Sequence, residues 1–238
     1  MLRSIVVFIL LLGVRASARF FFRLREDWMP TKPKEMADDA RIVAILNHTS
    51  LYEPLIAGFA STKLLWRFAR HGVLPVAEKT MNRPIGLFFK FLVRHTVTVT
   101  RQRDSTWQDV LSKIDDRALV VILPEGRMKR RDGLDSKGRP MTVRTGIAEI
   151  LEALPDGRIL TVYSGGLHHI QAPGERFPRP LKPILCRFEM IDIVEFKAQI
   201  AAKFPDLKFR AAVVAELTER RDAYCPTELQ PPPTPKQG

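Results

Sequence analysis

Residues 42–54 read IVAILNHTSLYEP. The run at 42–46 is apolar and partly β-branched, reads as a strand, and stops at Asn47 and His48. Thr49 and Ser50 are turn and cap residues, and Pro54 suits the first position of a helix starting there. Glu53 follows His48 by five residues; on one continuous helix the two would sit about 140° apart, so a pairing needs the turn between them. A carboxylate at a helix start is held in its ionised form. It can fix an imidazole in one tautomer while the other ring nitrogen takes a proton from a hydroxyl. In a second reading Ser50 and Glu53 form a capping box and His48 is a satisfied loop residue, although that register puts Pro54 where its missing N–H is needed.

Outward from this stretch, short β-branched runs alternate with amphipathic segments. Strands are expected at 42–46, 64–68, 96–100, 119–123, 159–163 and 184–188. Helices are expected from Ser105, with Gln108 completing a capping box, to about 114, and at 144–154 and 207–221. The alternation predicts an α/β fold: a single sandwich domain over 41–224 with a mostly parallel central sheet flanked by helices. The 238 residues and 45% hydrophobic content suffice for one sizeable core.

The N-terminal segment 1–27 carries an apolar run at 5–14, short of the ~20 residues that span a bilayer as a helix. Read on as a helix, it places Arg15, Arg19 and Arg23 on one face and the Phe20–Phe22 cluster around the rest. This predicts an amphipathic membrane-anchoring helix that dips into one leaflet and snorkels its arginines to phosphate. A secretory signal is the competing reading, and Arg15 beside the would-be cleavage site argues against it. Residues 28–40, with Pro30 and Pro33, read as a linker, and 225–238, rich in proline, as a disordered tail.

Thirty-eight basic against 26 acidic residues give a net charge of +12, which predicts attraction to a polyanion. The two cysteines, Cys186 and Cys225, form no CxxC pair, so neither a disulfide framework nor a zinc knuckle is expected. His168 and His169 adjoin in sequence without a metal-ligand spacing and are read as a surface pair, so no metal site is expected.

The strand at 119–123 is followed by Pro124-Glu125-Gly126-Arg127. NHxxxxE followed by PEG after a second strand resembles the glycerolipid acyltransferase family, whose best-known members are the 1-acylglycerol-3-phosphate acyltransferases. The resemblance runs from about Arg41 to Tyr163. The family motif has Asp where Glu53 stands, a change that lengthens the arm by one methylene and that related lipid A acyltransferases also carry. Its second block appears as Lys79-x4-Pro84-x-Gly86 and a strand ending in Arg101. Its third block, normally PEGTRS, is PEGRMKR here, with Arg127, Lys129, Arg130 and Arg131 forming a cationic cluster.

The resemblance implies a catalytic pair, His48 as general base and Glu53 as its orienter, with Asn47, Lys79, Arg101, Glu125, Gly126 and Arg127 around the substrate. It implies acyl transfer from a thioester, acyl-CoA or acyl carrier protein, to a hydroxyl of a lysophospholipid such as 1-acylglycerol-3-phosphate. No other cofactor is expected. The charge and the N-terminal helix fit a site at the cytoplasmic face of a membrane with anionic lipids. A rival reading, a non-catalytic basic membrane- or nucleic-acid-binding module, explains the charge. It leaves the spacing of His48, Glu53 and Glu125 to chance, and no nucleic-acid motif accompanies it.

Overall fold

The computed structural model describes residues 1–30, 40–81, 95–99, 105–172, 175 and 177–228. Its elements are α1 (Leu2–Phe21), β1 (Arg23–Met29), β2 (Ala40–Leu46), a 3₁₀ helix (Glu53–Phe59), α2 (Thr62–His71), β3 (Gly72–Ala77) and α3 (Glu78–Met81). Then follow β4 (His95–Val99), α4 (Ser105–Ser112), β5 (Leu119–Ile122), α5 (Gly146–Ala153), β6 (Arg158–Ser164), β7 (Pro183–Asp192), α6 (Ile193–Lys203) and α7 (Phe209–Tyr224). The seven strands form one sheet in the order β1-β7-β6-β2-β5-β3-β4. Every pairing is parallel except β6 with β7. The sheet is therefore mostly parallel and covered by helices, as the alternating pattern predicts.

β2 lies at the middle and is buried along its whole length. Ile42, Ala44 and Leu46 face a core completed by α4 to α7, where Val110, Ile147, Phe196, Val213 and Leu217 are buried. Val43 and Ile45 face the opposite core, completed by Val7 and Leu11 of α1, Ile56 of the 3₁₀ helix and Leu64, Leu65 and Phe68 of α2. A strand with two cores must be apolar at every position, which is why its run reads without alternation.

Four expectations need correction. Residues 64–68, expected as a strand, lie within α2, whose start is capped by the Ser61 side chain accepting from the Leu64 N–H at 3.0 Å. The helix expected over 1–27 ends at Phe21. It is nevertheless 20 residues long, and by length and composition it suffices to cross a membrane, because the residues flanking the apolar run are helical too. Residues 23–29, split between anchor and linker in the sequence reading, form the edge strand β1, paired with β7, and Trp28 stacks on Phe188 at 5.0 Å. Cys225, where the tail was expected to begin, is buried in the core. The remainder of the linker, 31–39, and the tail at 229–238 lie outside the described residues.

Arg15 and Arg19, expected to snorkel outward, are bonded to the domain instead. Arg15 donates to Thr62 Oγ1 at 2.7 Å and Arg19 to the Gly58 carbonyl at 2.9 Å, while Arg23 lies in β1. They fasten α1 lengthwise to the domain. At Gly58 an added Cβ would come within 2.8 Å of the Ala18 Cβ and 2.7 Å of Leu24 Cδ1, so this close seat requires glycine.

Candidate active site

The chain leaves β2 through Asn47, whose φ of 67° lies in the left-handed region that asparagine tolerates better than most residues. Beyond this reversal the backbone N–H groups of Asn47 and His48 donate to the two oxygens of Glu125, each at 2.9 Å. Glu125 follows β5, the neighbour of β2, and is 2% exposed. The Asn47 side chain donates to the Ser164 carbonyl at the end of β6 at 2.8 Å, and its Oδ1 accepts from Lys129 Nζ at 3.1 Å. The turn is thus clamped between the carboxyl ends of β5 and β6, where open α/β sheets bind ligands. Arg221 of α7 places Nη1 3.9 Å from Glu125 Oε1 and gives the buried carboxylate a countercharge.

His48 Nδ1 lies 3.1 Å from Glu53 Oε2, and neither atom has another partner. Glu53 Oε1 accepts from the N–H groups of Thr49 and Ser50, both at 2.8 Å. One carboxylate therefore does two tasks, one oxygen holding the turn N–H groups and the other facing the imidazole; the capping-box reading fails, because Tyr52 and not Ser50 is the N-cap of the 3₁₀ helix and His48 is paired with Glu53. In the neutral ring the proton belongs on Nδ1, which has the acceptor, and Nε2 keeps its lone pair. Burial alone would lower the pKa of His48. The Glu53 charge and hydrogen bond, with the Glu125 charge behind them, push it above the ordinary value instead.

The cationic loop after Gly126 is arranged differently from expectation. Gly126 takes a φ of 60°, the left-handed region that suits glycine, and its N–H bonds the Leu123 carbonyl at 2.9 Å. Arg127 turns to Asp135, with Nη1 2.5 Å from Oδ2. Asp135 is 2% exposed and also accepts from the N–H groups of Lys137 at 2.7 Å and Arg139 at 3.0 Å. Burial works to raise its pKa, but these bonds and the Arg127 and Arg139 cations hold it well below the usual carboxylate range. Lys129 stands closer to the turn. Its N–H bonds the His48 carbonyl at 2.8 Å, and its own carbonyl meets His168 Nε2 at 2.8 Å. Burial and the nearby Lys129 and Arg131 cations lower the pKa of His168. The pair expected at the surface is not there: His168 is 6% exposed and supports the loop, and His169 is half-buried with Nε2 2.6 Å from the Pro183 carbonyl.

Asn47, His48, Glu53, Glu125 and Gly126 come together, and Arg127 lies beside them in an ion pair. The side chain of Lys79 and all of Arg101 lie outside the described residues. Sequence reasoning missed the wall after β6: Leu167 N–H donates to Thr49 Oγ1 at 2.7 Å, and Ser50 Oγ to Gln171 Oε1 at 2.8 Å. It also missed Asp135 and Arg221. None of these stands in a recognisable motif, and only the folded sheet brings them near residue 48. Among the described residues no group of three or more His, Cys, Asp and Glu side chains is placed to hold a metal ion.

A cavity of about 860 Å³ adjoins this constellation. On the α1 and α2 side its walls are hydrocarbon, including Leu11, Val14, Val43, Ile45 and Phe68. His48, Glu53 and Glu125 lie on its lining, and Arg127, Lys137 and Arg144 line it further along the loop.

Residues 30–165 match the family model described as Acyltransferase. No curated protein sequence matches the chain. Among solved structures, the 1-acyl-sn-glycerophosphate (LPA) acyltransferase PlsC from Thermotoga maritima is similar in fold. It aligns with a TM-score of 0.53 and 17% identity over 90% of this chain and 80% of that one.

Proposed function

The chain belongs to the acyltransferase family and is an O-acyltransferase, and from that premise we propose that it moves a fatty acyl group from a thioester to a hydroxyl of a membrane-borne lysophospholipid such as 1-acylglycerol-3-phosphate. One observation carries the reading: the His48–Glu53 pair lies in the wall of a cavity with hydrocarbon on one side and cations on the other. Such a cavity fits an amphiphile with a long chain and an anionic head, its reacting atom near the junction. Family membership as an enzyme sets the non-catalytic binding module aside.

In the proposed mechanism Nε2 of His48 takes the proton of the acceptor hydroxyl while Glu53 steadies the imidazolium that forms. The acceptor oxygen attacks the thioester carbonyl carbon, and the tetrahedral oxyanion collapses with cleavage of the C–S bond. The thiolate leaves with the proton that His48 held. Glu125 touches no substrate in this scheme; it fixes the Asn47-His48 backbone. The donor is acyl-CoA or an acyl carrier protein, and no further cofactor takes part. Lys79 and Arg101 remain candidates for the acceptor side by resemblance. Arg127 serves there once it releases Asp135, and Lys129 is the nearer cation in the present arrangement. The α1 helix holds the enzyme on the cytoplasmic face of a membrane.

The test is transfer of radiolabelled acyl groups to a panel of lysophospholipids and glycerol 3-phosphate. His48→Ala should lose ~10²–10⁴-fold in rate while remaining folded. A folded variant with full activity would sink the mechanism.

A further inference from the structure

The proposed function puts the enzyme on a membrane through α1 alone. Resting on that reading, we infer that the docking face has a second element, segment 177–182, which with the outer stripe of α1 seats the protein on an anionic bilayer.

The α1 helix buries Ser4, Val7, Leu11 and Ala18 against the domain. The opposite stripe, at helical spacing through Leu2, Ile5, Ile9, Gly13, Ala16 and Phe20, is uncharged, and its large side chains are exposed. Because Arg15 and Arg19 tie the helix lengthwise to the 3₁₀ helix and α2, that stripe meets a bilayer in plane rather than across it.

Segment 177–182 adjoins the C-terminal end of that helix. Leu181 N–H donates to the Phe21 carbonyl at 2.6 Å, and Arg23 N–H donates to the Lys182 carbonyl at 3.1 Å, so the segment is laced to the end of α1. Leu181 is held at a φ of 61°, a region leucine rarely adopts, and its side chain is 65% exposed. A strained leucine that gains little packing in return marks a contact made outside the chain. Phe20 is 79% exposed and Phe177 72%, which adds aromatic side chains of the kind that settle at headgroup depth. Arg23 and Lys182, joined by their backbone hydrogen bond, are exposed beside this apolar group, and the chain carries a net charge of +12. An apolar surface flanked by cations complements anionic headgroups above acyl chains.

The experiment is flotation of the full chain with phosphatidylglycerol and with phosphatidylcholine vesicles. It compares wild type, Leu181→Gly, Phe177→Ser and Ile9→Asp. Leu181→Gly removes the side chain and relaxes the left-handed backbone, so it should weaken partition into phosphatidylglycerol by at least about fivefold while melting no earlier than wild type. Phe177→Ser should weaken it similarly, and the phosphatidylcholine arm should bind less in every case. If Ile9→Asp loses vesicles while both loop variants partition within twofold of wild type, α1 is the whole docking face and the inference is overturned, the anchoring reading standing. If wild type ignores both vesicles, the anchoring reading falls and takes the inference with it. A wild type that stays out of vesicles and sediments as a dimer would assign the face to a second copy instead.

Discussion

Glu53 divides one carboxylate between a structural and a chemical task, so its substitutions separate the two. In Glu53→Gln the amide oxygen can still accept from Thr49 and Ser50, while the charge facing His48 is gone. The pKa of His48 is raised chiefly by that charge against the opposing effect of burial, so its loss moves the acid limb of the pH–rate profile to lower pH. The maximal rate falls as well, because the imidazolium loses its countercharge. An unmoved limb would show that Glu53 is only a cap. The stability effect has a definite sign. A raised folded pKa stabilises the protein fully below the unfolded histidine value of about 6.5, and the effect fades as pH rises through the folded value. The melting-temperature gap between wild type and Glu53→Gln should therefore narrow on going from about pH 6 into the alkaline range. Glu53→Asp is a harsher change than the family pattern suggests, since a shorter arm must give up either the turn N–H groups or the imidazole.

Among the elements, α4 and α5 approach most tightly where Trp107 meets a glycine. A Cβ on Gly146 would come within 2.8 Å of Trp107 Cη2, and both residues line the cavity. Gly146→Val should lower stability in chemical denaturation by ~1–3 kcal/mol through overpacking. The contribution of α7 is less direct. Arg221 donates to the Met141 carbonyl at 3.1 Å and faces Glu125, so Arg221→Met leaves that carboxylate buried without its countercharge. The clamp on Asn47 and His48 should loosen, and kcat should drop about tenfold with KM little changed, as for a positioning residue. Unchanged kcat would confine Arg221 to holding α7. These two contacts mark what the sequence does and does not disclose. His48 and Glu53 were legible as a pair because turn residues stand between them, and Glu125 through the resemblance carried by NHxxxxE and PEG. Arg221 was not, because its approach to Glu125 depends on packing across 96 residues of chain. Residues 64–68 misled because a short apolar run has no period of its own, and the Ser61 cap that starts the helix lies before it. β3 was hidden by Pro75 inside it, and β1 by the charges that an edge strand carries on its open side.

For the whole molecule, the question is whether α1 is a tether or a wall. A tether can be removed without touching the chemistry, given detergent to replace the membrane. α1 instead places Leu11 and Val14 on the cavity lining, packs Phe8 against Trp66 at 5.1 Å, and rests on Gly58 so closely that the seat admits no side chain. Deleting residues 1–21 would strip one wall from the apolar side of the cavity while leaving the His48 turn, which is held by β5 and β6, in place. Long and short acyl groups should then part company. Transfer from a thioester with a ~16-carbon chain should fall steeply even in micelles, because each buried methylene contributes about 0.8 kcal/mol. Transfer of a ~4-carbon chain, too short to reach that wall, should fall much less. Equal losses for both chain lengths would mean that α1 supports the fold as a whole, and equal retention would reduce it to a tether. Gly58→Val gives the milder version of the same test, because it lifts α1 from its seat without removing it, and it should shift chain-length preference in the same direction.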